Sequence, residues 1–288
     1  MFDALIDKLK NDTYITLETT PGHSPVFTPT IDKIAELGLD KLVDGFSTTD
    51  NPLAKLKYNA LFAAKMLQDR FNKPVIATMS MRDKNKIALQ SDLLGANEVD
   101  IRAILALTGD PATMSDQAHV KGVFEADSTL LLDIISAFNH GMDYSGKPLT
   151  CNPKELYPFA VVNSFAKNPK TLQKKMQKKI KHGALGIITQ PVYSVNNAKL
   201  LLDLMEKANL ECCTEDKSSE LIIGLFPITK LRTAQFLSSH VPGIHVPESW
   251  VDLLREASLK GPEEEYKVGF ELSKKLFDDI KAIHPKIH

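Results

Sequence analysis

Short runs of β-branched and apolar residues alternate with longer stretches of helical periodicity along the whole chain. The short runs fall at Tyr14–Leu17, Val43–Ser47, Pro74–Ser80, Arg102–Leu107, Phe159–Asn163, Leu185–Thr189 and Leu221–Phe226. The helical stretches are Thr30–Leu37, Pro52–Phe71, Lys86–Ala96, Ser128–Phe138, Asn168–His182, Val195–Ala208, Lys230–Ser238 and Glu263–Ile283. A strand that returns through a helix re-enters its sheet parallel to the strand before it, so this alternation predicts a parallel α/β architecture. The chain has 288 residues, an ordinary length for a single (β/α)8 barrel, with no linker, repeat or low-complexity tract to divide it. The expectation is one domain over 1–288. Only seven strands are counted: Pro285-Lys286-Ile287-His288 reads as the start of an eighth strand cut short, and the alternative is a barrel that closes by some other means.

The remaining bulk features narrow the function class. A formal net charge of −1 provides no global field toward nucleic acid or membrane, and no apolar run is long enough to span a bilayer. Met1 to Asn11 reads as an amphipathic helix with Phe2, Leu5, Ile6 and Leu9 on one side, lacking a signal-peptide core. Cys151 and the adjacent Cys212 and Cys213 supply neither a disulfide framework nor zinc-ligand spacing, which points to a reducing cytoplasm. The histidines form no HExxH pattern, and Walker, GxGxxG and nucleophile-elbow motifs are absent. No metal site is expected.

In a parallel barrel the active site forms at the C-terminal ends of the strands. Three side chains fall there. Glu18, in Leu17-Glu18-Thr19-Thr20, is a strand-end carboxylate that burial would turn into a general acid, or that a neighbouring base would simply pair. Asp110 sits on the Gly109-Asp110-Pro111 turn after the fourth strand, where turn chemistry explains it as well as function does. Gln190 closes an apolar strand with an amide able to donate and accept, which suits a heterocycle edge or an ordinary loop. Thr48-Thr49-Asp50-Asn51-Pro52 opens a helix as either an anion site or a plain cap. Asp127-Ser128 and Asn168-Pro169 read as helix starts. The lysines from Lys167 to Lys181 read as a solvated face, with Lys175 and Lys179 on one side of a helix.

Several segments together resemble the methylenetetrahydrofolate reductase family. They are Thr49-Asp50-Asn51-Pro52-Leu53-Ala54, Arg82 through Ala96, Leu107-Thr108-Gly109-Asp110, Val123 through Ser128, Asn163-Ser164-Phe165-Ala166, Lys179 through Gln190, and Gly224 through Ile228. The resemblance implies a flavin-bearing barrel that reduces 5,10-methylenetetrahydrofolate to 5-methyltetrahydrofolate. NAD(P)H reduces the flavin and leaves, and the folate then accepts hydride from flavin N5. It implies Glu18 as general acid, Asp110 as the acid that binds the pterin and tunes the flavin, and Gln190 as the amide contacting folate and nicotinamide. Leu231 would shape the substrate face, while Thr49, Gly109, Phe124, Asp127, Asn168 and Lys179 would line the flavin and its phosphates. The implied cofactor is FAD, with FMN as the alternative because Thr108 stands where many members carry Arg. A homo-oligomer is expected, since the family commonly forms oligomers. Two other readings stay open: a flavin- or folate-binding partner subunit without NAD(P)H activity, and a cofactor-free lyase using Glu18 and Asp110.

Overall fold

The computed structural model describes residues 1–212 and 218–288. The first of two compact units spans Met1–Ala160 and Lys181–Gly186. It begins with α1 (Phe2–Asn11) and β1 (Tyr14–Thr19), followed by α2 (Thr28–Glu36), β2 (Gly45–Thr48), α3 (Ala60–Phe71), β3 (Val75–Ser80), α4 (Lys86–Glu98), β4 (Ala103–Leu107) and α5 (Ser128–Asn139). Strand β5 (Tyr157–Val162) runs to its edge. The second unit holds α6 (Pro169–Lys181), β6 (Gly186–Thr189), α7 (Val195–Cys212), β7 (Glu220–Ile222), α8 (Leu231–His240), α9 (Glu248–Ser258), α10 (Pro262–Ile283) and β8 (Lys286–Ile287).

Strands β1 to β5 pair in parallel in chain order, with Glu18 opposite Ser47 and Ser80 opposite Leu107. Every residue of β2, β3 and β6 is buried, as expected of strands covered on both faces. The sheet order is β7-β6-β5-β4-β3-β2-β1-β8, and the alternating helices make the chain a (β/α)8 barrel. The eighth strand is present and short. Its Ile287 bridges in parallel to Ile223, and His288 donates to the Ile223 carbonyl at 2.9 Å. This explains how so brief a segment completes the strand count: backbone pairing needs only the two residues that reach the neighbouring edge.

Helix α1 buries Phe2, Leu5 and Leu9, as the amphipathic pattern requires. Phe2 stacks on Tyr157 at 5.8 Å, and the Arg102 guanidinium lies 4.6 Å over the Phe2 ring. These partners lie where β4 and β5 begin, so α1 covers that end of the first unit and leaves the C-terminal strand ends free.

Two expectations are corrected. The stretch from Pro52 is not helical until Ala60. Asn59 caps α3 by accepting from the Leu61 and Phe62 amides at 2.9 and 3.1 Å, while Asn51, Leu53 and Ala54 are left-handed. Helix α9 was missed, although Trp250, Leu254 and Ala257 bury one face at helical spacing. Cys151 and Cys212 form no disulfide among the described residues, and Cys213 lies outside them.

Ile287 is 3% exposed, so Ile287→Ala removes buried volume where β8 meets Ile223. Urea unfolding should show a loss of about 2–5 kcal/mol. An unchanged midpoint would mean that β8 contributes nothing to stability.

Candidate functional site

In the first unit, polar groups gather where β1 to β4 end. Glu18 precedes the last residue of β1 and is exposed, so the chain by itself does not provide the burial expected for it. After β2, Thr49 turns its hydroxyl inward, where it is buried without a hydrogen-bond partner among the described residues. The Asp50 carboxylate accepts from the Ser80 amide at 3.0 Å. Beyond β3 comes Arg82, whose guanidinium grips Asp83 side-on: Nε donates at 2.8 Å and Nη2 at 2.6 Å. The same Nη2 donates to the Asn51 carbonyl at 3.0 Å.

Asp110, after β4, accepts from the Leu53 amide at 2.7 Å. Gly109 has φ +92°, and a Cβ there would lie 2.3 Å from Ser80 Oγ and 2.9 Å from Arg82 Cβ. The packing of β3 against β4 therefore demands glycine whether or not a cofactor binds. Thr108 Oγ1 accepts from the Ser128 amide at 3.1 Å, and Asp127 caps α5 by accepting from the Thr129 amide at 2.9 Å. Phe124 is left-handed and exposed, with its ring over Gly122.

In the second unit the strand ends form a separate cluster. The Asn163 side chain donates to the Pro242 carbonyl at 3.3 Å and accepts from Lys175 Nζ at 2.8 Å. Ser164 Oγ donates to the carbonyls of Pro191 at 2.7 Å and Gly243 at 3.2 Å. The Gln190 amide, oriented by the hydrogen-bonding pattern, sets its nitrogen 3.2 Å from the carbonyls of Pro242 and Gly243. Gly243 has φ +87°, and a Cβ would lie 1.7 Å from Asn163 Nδ2, so only glycine lets this segment reach the strand ends. Leu231 opens α8 and donates its amide to Glu265 at 2.7 Å. Asn168 accepts from the Lys170 amide at 3.1 Å as a cap of α6.

The lysines of α6 lie at different distances from its start. Lys179 is ten residues beyond Pro169 in α6, which is about 15 Å along the axis. Lys175, one turn earlier on the same face, is the lysine that reaches the end of β5. Arg82 and Asp50 were also missed as site groups. Nothing in the one-dimensional pattern marks an arginine or a turn carboxylate for burial.

The electrostatics follow from these contacts. The hydrogen bond between Arg82 and Asp83 raises the proton affinity of the first and lowers that of the second. Burial pushes Asp50 up, offset in part by Lys84 and by the Ser80 amide. Among the described residues no His, Cys, Asp or Glu group converges as a metal site.

A carboxyl group whose folded pKa is raised favours the folded state most below its unfolded pKa. That contribution is lost as pH rises through the folded value. Asp50→Asn keeps an acceptor for Ser80 without the charge, so it should flatten the stability curve above about pH 4. Unfolding by urea between acid and neutral pH measures this, and an equal loss at every pH would contradict it.

No curated protein sequence matches the chain. Among solved structures, an uncharacterized protein from Clostridium thermocellum, described as binding two copies of 5-methyl-5,6,7,8-tetrahydrofolic acid, aligns over 96% of this chain and 86% of its own, at a TM-score of 0.61 and 16% identity. That likeness speaks to the fold. A tryptophan synthase from M. tuberculosis aligns over 96% of both chains at a TM-score of 0.45 and 10% identity, too loosely to carry weight. The sequence profile of methylenetetrahydrofolate reductase matches residues 3–288, and the chain belongs to that family.

Proposed function

We propose that this chain is a flavin-dependent methylenetetrahydrofolate reductase that uses NAD(P)H to convert 5,10-methylenetetrahydrofolate to 5-methyltetrahydrofolate. The family match over residues 3–288 carries the reading. The folate bound by the Clostridium thermocellum protein of the same fold supports the substrate class. We read residues 1–288 as one flavin-binding domain acting in the cytoplasm, feeding one-carbon units toward methionine.

The residues present fit a flavin. The buried, unpartnered Thr49 hydroxyl offers a hydrogen bond at the end of β2, and the exposed Phe124 ring offers an aromatic face. When bound, the flavin supplies the two-electron carrier between the nicotinamide and the folate. FAD is the first choice and FMN the second. Gly109, Asp127 and Asn168 already have structural duties, so Thr49 and Phe124 are the cofactor contacts to test first. Lys179 would serve a phosphate only along the flank of α6, whereas Lys175 serves the end of β5.

The remaining chemistry falls to this chain's own groups. Glu18, exposed at the end of β1, donates the proton that opens the methylene bridge, leaving an iminium ready for hydride. Asp110 has one oxygen committed to the Leu53 amide, and its other oxygen accepts an N–H of the pterin. Gln190 has its nitrogen committed to backbone carbonyls, so its oxygen faces the ligand. Leu231 supplies an apolar wall.

The purified protein should be yellow, bleach under NADH or NADPH without oxygen, and recover its colour on adding methylenetetrahydrofolate. Failure to take up any flavin would overturn the reading. Glu18→Gln should leave bleaching by the nicotinamide near the wild-type rate while slowing the folate half-reaction by about 100-fold or more. Equal slowing of both half-reactions would remove Glu18 as the proton donor.

A further inference from the structure

The turn between β2 and α3 is held in an unfavourable backbone conformation. Asn51 (φ 45°), Leu53 (φ 56°) and Ala54 (φ 55°) all lie in the left-handed region, and none is glycine. Such residues persist only where their surroundings over-determine them. Three ties do so here: Arg82 Nη2 to the Asn51 carbonyl at 3.0 Å, the Lys57 amide to Asn51 Oδ1 at 2.8 Å, and the Leu53 amide to Asp110 Oδ2 at 2.7 Å. Arg82 is 3% exposed, a buried guanidinium whose partners are protein groups. A buried guanidinium is costly unless every part of it is paired. Its Nε and Nη2 take both oxygens of Asp83, and Nη2 also reaches the turn.

We propose that Arg82 is a positioning residue for Asp110, acting through the Asn51–Ala54 turn. Anchored by Asp83, the guanidinium holds the Asn51 carbonyl. That fixes the left-handed turn, and the turn aims the Leu53 amide at Asp110. One carboxylate oxygen is thereby immobilised and the other is presented to ligand in a single orientation. A lysine keeps the charge but cannot hold Asp83 with two nitrogens and the turn at once. The consequence for folate binding rests on the reading of Asp110 given above, whereas the tie to Leu53 does not.

Amide hydrogen exchange read at Leu53 tests the tie directly. In Arg82→Lys, Leu53 should exchange about 10- to 100-fold faster than in wild type, as for loss of a hydrogen bond to a charged group. The amides of Ile104 and Leu105 in β4 should keep their protection. Affinity for 5-methyltetrahydrofolate, measured by calorimetry, should fall about tenfold or more, the effect of freeing a preorganised contact. Unchanged exchange at Leu53 overturns the proposal, as does faster exchange spread along β3 and β4, which would mark a purely structural arginine. Faster exchange at Leu53 with folate affinity intact, while Asp110→Asn loses it, overturns the positioning role but spares the reading of Asp110. If Asp110→Asn also binds normally, that reading fails, and exchange at Leu53 alone judges the tie. Should Arg82→Lys not fold, Asp83→Asn loosens the same fork at a half-buried site and should accelerate Leu53 in the same direction.

Discussion

Because β2, β3 and β6 bury every residue, they carry small hydroxyls but no charge, and charged side chains appear only where the strands stop. Parallel pairing brings successive strand ends together, so within each unit the groups excluded from the core collect at those ends. In the first unit the result is Asp50, Arg82, Asp83 and Asp110 within a few residues of three strand ends. The close approach of Gly109 to Ser80 and Arg82 shows how tightly that end is packed. Charge in such a setting must be paired, and the fork between Arg82 and Asp83 meets that requirement.

Function then depends on which groups this network leaves uncommitted. Asp110 and Gln190 are each half-used by backbone partners, which fixes their orientation and leaves one polar atom to offer. Preorganisation of this kind lowers the entropy lost on binding and favours one ligand pose. Glu18 differs from them in being exposed at the end of its strand.

Much of the fold was legible in the sequence because burial on both strand faces and helical periodicity are strong local signals. The cap at Asp127 and the start of α6 at Pro169 were legible for the same local reason. The early start assigned to α3 came from the apolar spacing of Leu53, Ala54 and Leu56, which mimics a helix. The left-handed residues that break the pattern depend on contacts with Arg82 and Asp110, while the Asn59 cap that starts the helix is local. The eighth strand was legible only as a fragment at residues 285–288, because two residues carry no period that shows a complete strand. Asp110 and Gln190 could be located at strand ends from the sequence, but strand position alone left an ordinary turn or loop role open for each. The roles of Arg82, Asp50 and Lys175 needed three-dimensional neighbours that spacing does not reveal.

If the proposed reduction is right, folate binds at the C-terminal strand ends. A crystal structure with 5-methyltetrahydrofolate bound tests it most directly. The account predicts the pterin at that end, with an N–H on the Asp110 oxygen not used by Leu53. A pterin bound at the opposite strand ends, or on the outer helices, would contradict it.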